Sequence, residues 1–240
     1  MKWNQHMTPA DFAAAVQPLL GADLVALILY GSAAAGDHAG RASDYNLLLV
    51  ATAWPGARLA AIGPLLRRWQ RTGSPAPLLF TRRELEQAAD VFPLELLDMQ
   101  DSHQILAGED LLADLRISPR HLRHQVEAEL RGLLLHLRQG FAVNQAAPRA
   151  QSQLLRASAS SLLVLLRGAL RLFDTAVPAR KMDALLTLAQ RLEFDPAPLL
   201  RIAELKTQRR SLPAAQGAAL FSACLALIET VLQAVDAAET

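Results

Sequence analysis

Two textures divide this chain. Up to about Leu115, compact apolar runs alternate with stretches of helical spacing; beyond it, apolar residues recur every three or four positions with no strand pattern. Thr8-Pro9-Ala10-Asp11 reads as a helix start, with Thr as N-cap, Pro at the first helical position and an acid at the positive end of the dipole. That helix is expected to stop at Gly21. Leu24–Tyr30 and Tyr45–Ala51 are apolar runs that predict buried strands, and Pro77–Thr81 predicts a third. Ala57–Arg71 places Leu59, Ile62, Leu65, Leu66 and Trp69 on one side of a helix. Short helices are expected at Arg82–Ala89 and Phe92–Met99, and an edge strand at His103–Ala107.

The second half reads as helix throughout. Ser118-Pro119 opens a periodic stretch to Gly140, and further helices are expected at 151–174, 180–192, 197–206 and 214–238, separated by Pro148, Pro178, Pro196 and Pro213. The expected fold is therefore a mixed α/β (α+β) domain over about 1–115, followed by an all-α helical bundle over about 116–240.

Composition narrows the class. At 240 residues, 52% hydrophobic and 20% charged, the chain has ample core material for two ordinary domains. No basic start followed by an apolar run is present, and no stretch reaches the roughly 18 uninterrupted apolar residues of a membrane span. The single Cys224 lies at helical spacing in FSACLALIE and predicts a buried structural thiol in a reducing, cytoplasmic setting. Charge is uneven: residues 1–115 carry 8 Lys and Arg against 13 Asp and Glu, and residues 116–240 carry 16 against 10. Two explanations stand: complementary docking of the halves, or a basic wall facing an anion held by the first. The basic residues form no runs, and Trp3, Trp54 and Trp69 form no stacking platform, so nucleic acid is not an expected partner.

The most informative passage is LILYGSAAAGDHAGRASDYNLLLV, residues 27–50. A strand ends in Gly31-Ser32, a small-residue loop follows, and the next strand begins with Asp44-Tyr45-Asn46. Glycine after a strand lets the backbone approach a phosphate, where amide N–H groups and a serine hydroxyl can donate to its oxygens. Side chains spaced i, i+2 on a strand share a face, so two carboxylates there could hold Mg²⁺ against a triphosphate. Here the second position is Asn46, whose carbonyl oxygen can ligate a cation but brings no charge.

On these residues the chain resembles the nucleotidyltransferase superfamily, whose signature is a Gly-Ser pair after a first strand and Asp-x-Asp at the head of the next. Gly31, Ser32 and Asp44 match it, and the resemblance is strongest over about 25 residues. Streptomycin and kanamycin nucleotidyltransferases likewise pair a small mixed domain with a helical one. The resemblance implies ATP or another NTP as ligand and Mg²⁺ at Asp44 and Asn46. It also implies a phosphate-reaching lysine at Lys181, in the helix-opening Pro178-Ala179-Arg180-Lys181. The family's third acid falls in a stretch occupied here by Leu78 and Leu79.

The loss of carboxylates points to a weakened or inactive relative, a pseudoenzyme that binds a nucleotide or small anionic ligand between its domains, or a regulatory or complex-forming protein. The alternative is an active enzyme moving a nucleoside monophosphate from NTP to a hydroxyl, with Asp44 as its metal ligand and a replacement acid such as Asp37 or Glu95. A scaffold protein, alone or as a homo-oligomer, is a third class. Asp98 and Asp101 near His103 read as an exposed acidic helix cap, and His121, His124 and His136 as surface residues. The Arg-rich, Ala-rich composition suggests a bacterial source.

Overall fold

A computed structural model describes residues 7–31, 33–34, 45–145, 147–174, 176–208 and 212–238. The chain divides into two compact units, Met1–Ser118 and Pro119–Thr240.

The first unit is built on a four-stranded sheet of β1 (Leu24–Tyr30), β2 (Asn46–Ala51), β3 (Leu78–Phe80) and β4 (His103–Gly108), in the order β3-β2-β1-β4. β1 runs antiparallel to both β2 and β4, while β2 and β3 are parallel. The sheet is thus mixed, with β3 and β4 at its edges. Alternation along the strands gives it two apolar faces. Leu27, Leu29, Leu47 and Leu49 pack beneath α1 (Pro9–Leu20) and α2 (Gly56–Gln70), where Phe12, Val16, Ile62 and Trp69 are fully buried. Ala26, Ile28, Leu48 and Val50 face the opposite way, toward α3 (Arg82–Gln87), a 3₁₀ turn at Ala88–Asp90 and α4 (Pro93–Asp101).

Local chemistry fixes the ends of these elements. Thr8 and Asp11 form a reciprocal capping box at the start of α1, and Thr81 and Glu84 form another at α3. The hydrogen bonds from Thr8 hold the Asp11 carboxyl below its usual range, as those from Thr81 do for Glu84. Indole N–H groups pin the connecting loops: Trp54 donates to the Phe80 carbonyl of β3 and Trp69 of α2 to that of Pro75, each at 2.9 Å. Both tryptophans are structural. Gly108 has φ +77°, and a Cβ there would stand 2.0 Å from the Val25 carbonyl oxygen, so the end of β4 requires glycine.

The second unit holds α5 (Pro119–Val143), α6 (Pro148–Leu170), α7 (Lys181–Leu192), α8 (Ala197–Gln208) and α9 (Ala214–Asp236). α6 packs against each of the other four and buries Leu155, Leu162, Leu165 and Leu166. Two boundaries differ from the sequence expectation. Pro148 does not separate helices; it opens α6, where its missing N–H costs no hydrogen bond. α5 continues through Gly140 to Val143, and the Leu154 side chain of α6 occupies the space a Cβ at Gly140 would take, with Cδ2 2.6 Å from that position. Phe141 and Phe221 stack with centroids 4.1 Å apart, joining α5 to α9.

No uninterrupted apolar run of that length is present, but Ala215–Asp236, broken by Gln216, Glu229 and Gln233, is long and apolar enough on average to cross a membrane, with a mean hydropathy of 1.9. In the structure its Phe221, Leu227, Ile228 and Val231 are buried within the second unit. Cys224 is buried beside them, and burial pushes its thiol up to about 12. His121, His124 and His136 are exposed along α5, as the sequence suggested.

Candidate functional site

β1 delivers Gly31 to the rim of the sheet in a conformation that glycine alone adopts freely, with φ +82°. Its amide donates to the Ser102 carbonyl at 2.9 Å, and its own carbonyl accepts from the Ala34 amide at 3.0 Å. Both of these amides are therefore committed within the fold, so Gly31 offers a surface free of side chain but no free donor. Directly across the ladder from Tyr30 lies Asn46, the first residue of β2, and Asn46 Nδ2 is 3.4 Å from where a Gly31 Cβ would stand. The chain just before it is held by Ser74, whose buried hydroxyl accepts from the Tyr45 amide at 3.3 Å.

Ser32, Asp37 and Asp44 lie outside the described residues. Asn46 carries the argument in their place, because strand alternation puts it on the same face as Leu48 and Val50. On that face a cavity of about 470 Å³ opens beneath α3 and α4. Its floor is Leu48 of β2 with Leu78 and Phe80 of β3, its end is Tyr30 and Gly31, and α4 contributes Glu95 and Asp98, one turn apart. Leu48 and Leu78 are register partners in the parallel pair. The stretch expected to hold the third acid thus presents leucine to the cavity. Burial raises the Tyr30 phenol, which remains a neutral hydroxyl at this wall.

Whether these residues suit a divalent metal follows from the donors. No group of three Asp, Glu, His or Cys converges among the described residues. An Asn amide and apolar strand positions do not supply the negative charge that paired Mg²⁺ ions require, so the described face does not fit a two-metal centre.

Asp98 is not an exposed cap residue: it is half-buried and lines the cavity. Nor does His103 make its carboxylate contact with Asp98 or Asp101. Its Nε2 stands 3.2 Å from Asp110 Oδ1, a partner the sequence reading missed. In the second unit Lys181 is the first residue of α7 and is exposed. The loop before it is fixed by the buried Arg167, whose Nε donates to the Pro178 carbonyl at 3.0 Å.

No family model and no curated protein matches this chain. Among solved structures it is similar to spectinomycin adenyltransferase AAD(9) from Enterococcus faecialis, crystallised with ATP and spectinomycin. The TM-score is 0.55 at 11% identity, covering 94% of this chain and 98% of that one. At that identity the likeness is one of architecture. This chain and that adenyltransferase share an architecture, which here is a four-stranded mixed sheet with its helices followed by five further helices.

Proposed function

We propose that this chain is a nucleotidyltransferase-superfamily protein with a weakened or inactive catalytic centre, retained to bind a nucleotide or small anionic ligand or to act within a regulatory complex. The observation that carries the reading is the replacement of acid by amide and hydrocarbon on one sheet face, Asn46 on β2 and Leu78 on β3. Transfer of a nucleotidyl group depends on fixed charge placed against the triphosphate, and this face offers little. The solved structure it resembles contains ATP, which supports a nucleotide as the ligand class. In this reading Gly31 and Ser32 lie against phosphate, Asp44 holds one cation, Asn46 makes a neutral contact and Lys181 supplies positive charge.

A second reading is favoured by one observation: Glu95 lines the same cavity as Gly31. An active enzyme could then pair Asp44 with Glu95 as replacement acid. Calorimetric titration with ATP and Mg²⁺, followed by transfer assays with α-labelled ATP, separates the two. Binding without turnover, weakened by Ser32→Ala, supports the inactive reading. Label reaching an acceptor, with loss in Glu95→Gln, overturns it.

A further inference from the structure

Where α4 ends and β4 begins, one side chain joins two segments of the first unit. The His103 ring is largely buried, its side chain 16% exposed. Its Nδ1 stands 3.1 Å from the carbonyl oxygens of both Met99 and Gln100, in the last turn of α4, where carbonyls lack partners one turn on. Its Nε2 stands 3.2 and 3.3 Å from the two carboxylate oxygens of Asp110. Asp110 Oδ1 accepts in turn from the Leu112 and Ala113 amides. Gln100 Nε2 donates to the Leu112 and Leu115 carbonyls at 2.8 Å. Two side chains thus bind the end of α4 to the turn at 110–115.

The oxygens that face the ring are all acceptors. A neutral imidazole has one N–H, so its other nitrogen would aim a lone pair at an oxygen; the imidazolium donates on both sides. The C-terminal end of a helix dipole favours a cation as well. The titratable groups on the elements packed around the ring add no competing cation: Tyr30 on β1, Asp11 on α1, Glu95, Asp98 and Asp101 on α4, and Glu109, Asp110 and Asp114 in the turn. Arg82 reaches Glu109 at 2.6 Å.

This cluster adjoins the glycine turn. The Ser102 amide donates to the same Met99 carbonyl that faces the ring, and the Ser102 carbonyl accepts from the Gly31 amide at 2.9 Å. Tyr30, which precedes Gly31, is the register partner of His103.

We propose that His103 is a proton-operated clasp. As imidazolium it closes the C-terminus of α4 onto Asp110; loss of one ring proton as pH rises opens it and loosens the Ser102 carbonyl from the Gly31 amide. The sign follows from linkage: a cation held by the fold stabilises it until the proton leaves. Protonation of Asp110 sets the lower limit, since it removes the counter-charge. The clasp therefore holds the glycine turn within a window of pH, with or without a nucleotide.

The test follows the full chain without nucleotide or Mg²⁺ from about pH 5 to about pH 9, a range that brackets ordinary histidine. Long-range ¹H–¹⁵N NMR reads both nitrogens of the His103 ring, and native-state hydrogen exchange reads the protection of the Gly31 and Ser102 amides relative to their intrinsic rates. His103 is expected to carry hydrogen on both nitrogens at the acid end. Its passage to one is expected to coincide with an about tenfold loss of Gly31 protection, the scale of a lost hydrogen bond to a charged group. The Leu166 amide, inside α6, keeps its protection throughout. His103→Gln, which donates on one side only, shows the lower Gly31 protection at every pH. A bare ring nitrogen at the acid end overturns the clasp, and a ring that keeps both protons throughout overturns the switch. Gly31 protection that stays level while the ring titrates overturns the link to the glycine turn. A step that survives in His103→Gln belongs to another group and overturns the proposal too; should that variant not fold, the titration of the unaltered chain decides alone.

Discussion

His103 Nε2 and Asp110 Oδ1 approach to 3.2 Å, joining the first residue of β4 to the segment that leaves it. Burial pushes the Asp110 carboxyl up, but hydrogen bonds from the Ala113 amide and the His103 ring, the charge of His103 and the Leu112 amide together bring it below the usual carboxylate range. A carboxyl lowered in the folded state binds protons more readily when unfolded. Its contribution is therefore full above the unfolded carboxylate value and is lost as pH falls through the folded one. Asp11 and Glu84 shift in the same direction. Thermal melts between pH 7 and pH 3 are expected to show stability falling below about pH 4, with a shallower fall in Asp110→Asn.

Gly31→Ala combines a left-handed backbone angle with a Cβ at 3.4 Å from Asn46 Nδ2. The expected loss in urea unfolding is about 1–2 kcal/mol. An unchanged midpoint would show that the turn can relax.

Trp69 is fully buried, packs edge-on against Phe12 with ring centroids 5.1 Å apart, and donates to Pro75. Its replacement by Ala is expected to cost about 3–5 kcal/mol, enough to unfold much of the first unit at moderate temperature. Circular dichroism melts check this directly.

Restoring charge to the sheet face tests the proposed loss of catalysis from the other direction. In Asn46→Asp/Leu78→Glu the new carboxylates stand on the cavity face, and Leu78 is exposed enough to accept the change. Mg²⁺-dependent ATP affinity, measured by calorimetry, is expected to rise about tenfold, the scale of a hydrogen bond or contact to a charged group.

Cys224, at about 12 and buried, is expected to resist thiol-specific reagents in native buffer at neutral pH. It should react at the rate of a free thiol only in denaturant. Stoichiometric labelling of the native chain within minutes would contradict its burial.

Much of this architecture could be read from residue order alone, because short-range chemistry decides it. Thr8 and Pro9 announce α1, and the run Leu24–Tyr30 is uniform enough to leave only a buried strand. Helix ends were harder where proline and glycine play their less common parts, as Pro148 and Gly140 show: one opens a helix, the other lies inside one with the Leu154 side chain against it. The site was half legible. The i, i+2 spacing of Asp44 and Asn46 marks a face, but which residues gather on it depends on strand order and on where α4 lies. Glu95 could be suspected as an acid in need of a place. Its alignment with Asp98 on one cavity wall, and the role of Leu78 opposite Leu48, required the fold. The His103–Asp110 pair was invisible for the same reason.

β1 lies inside the sheet, yet one of its flanks is closed only by β4, with Ala26 opposite Gly108. On the ribosome, a nascent chain that has released its first three strands still presents β1 with a naked hydrogen-bonding edge. The first unit cannot complete itself until the segment ending near residue 108 has cleared the exit tunnel, and over that interval the exposed flank is open to a chaperone or to another growing chain.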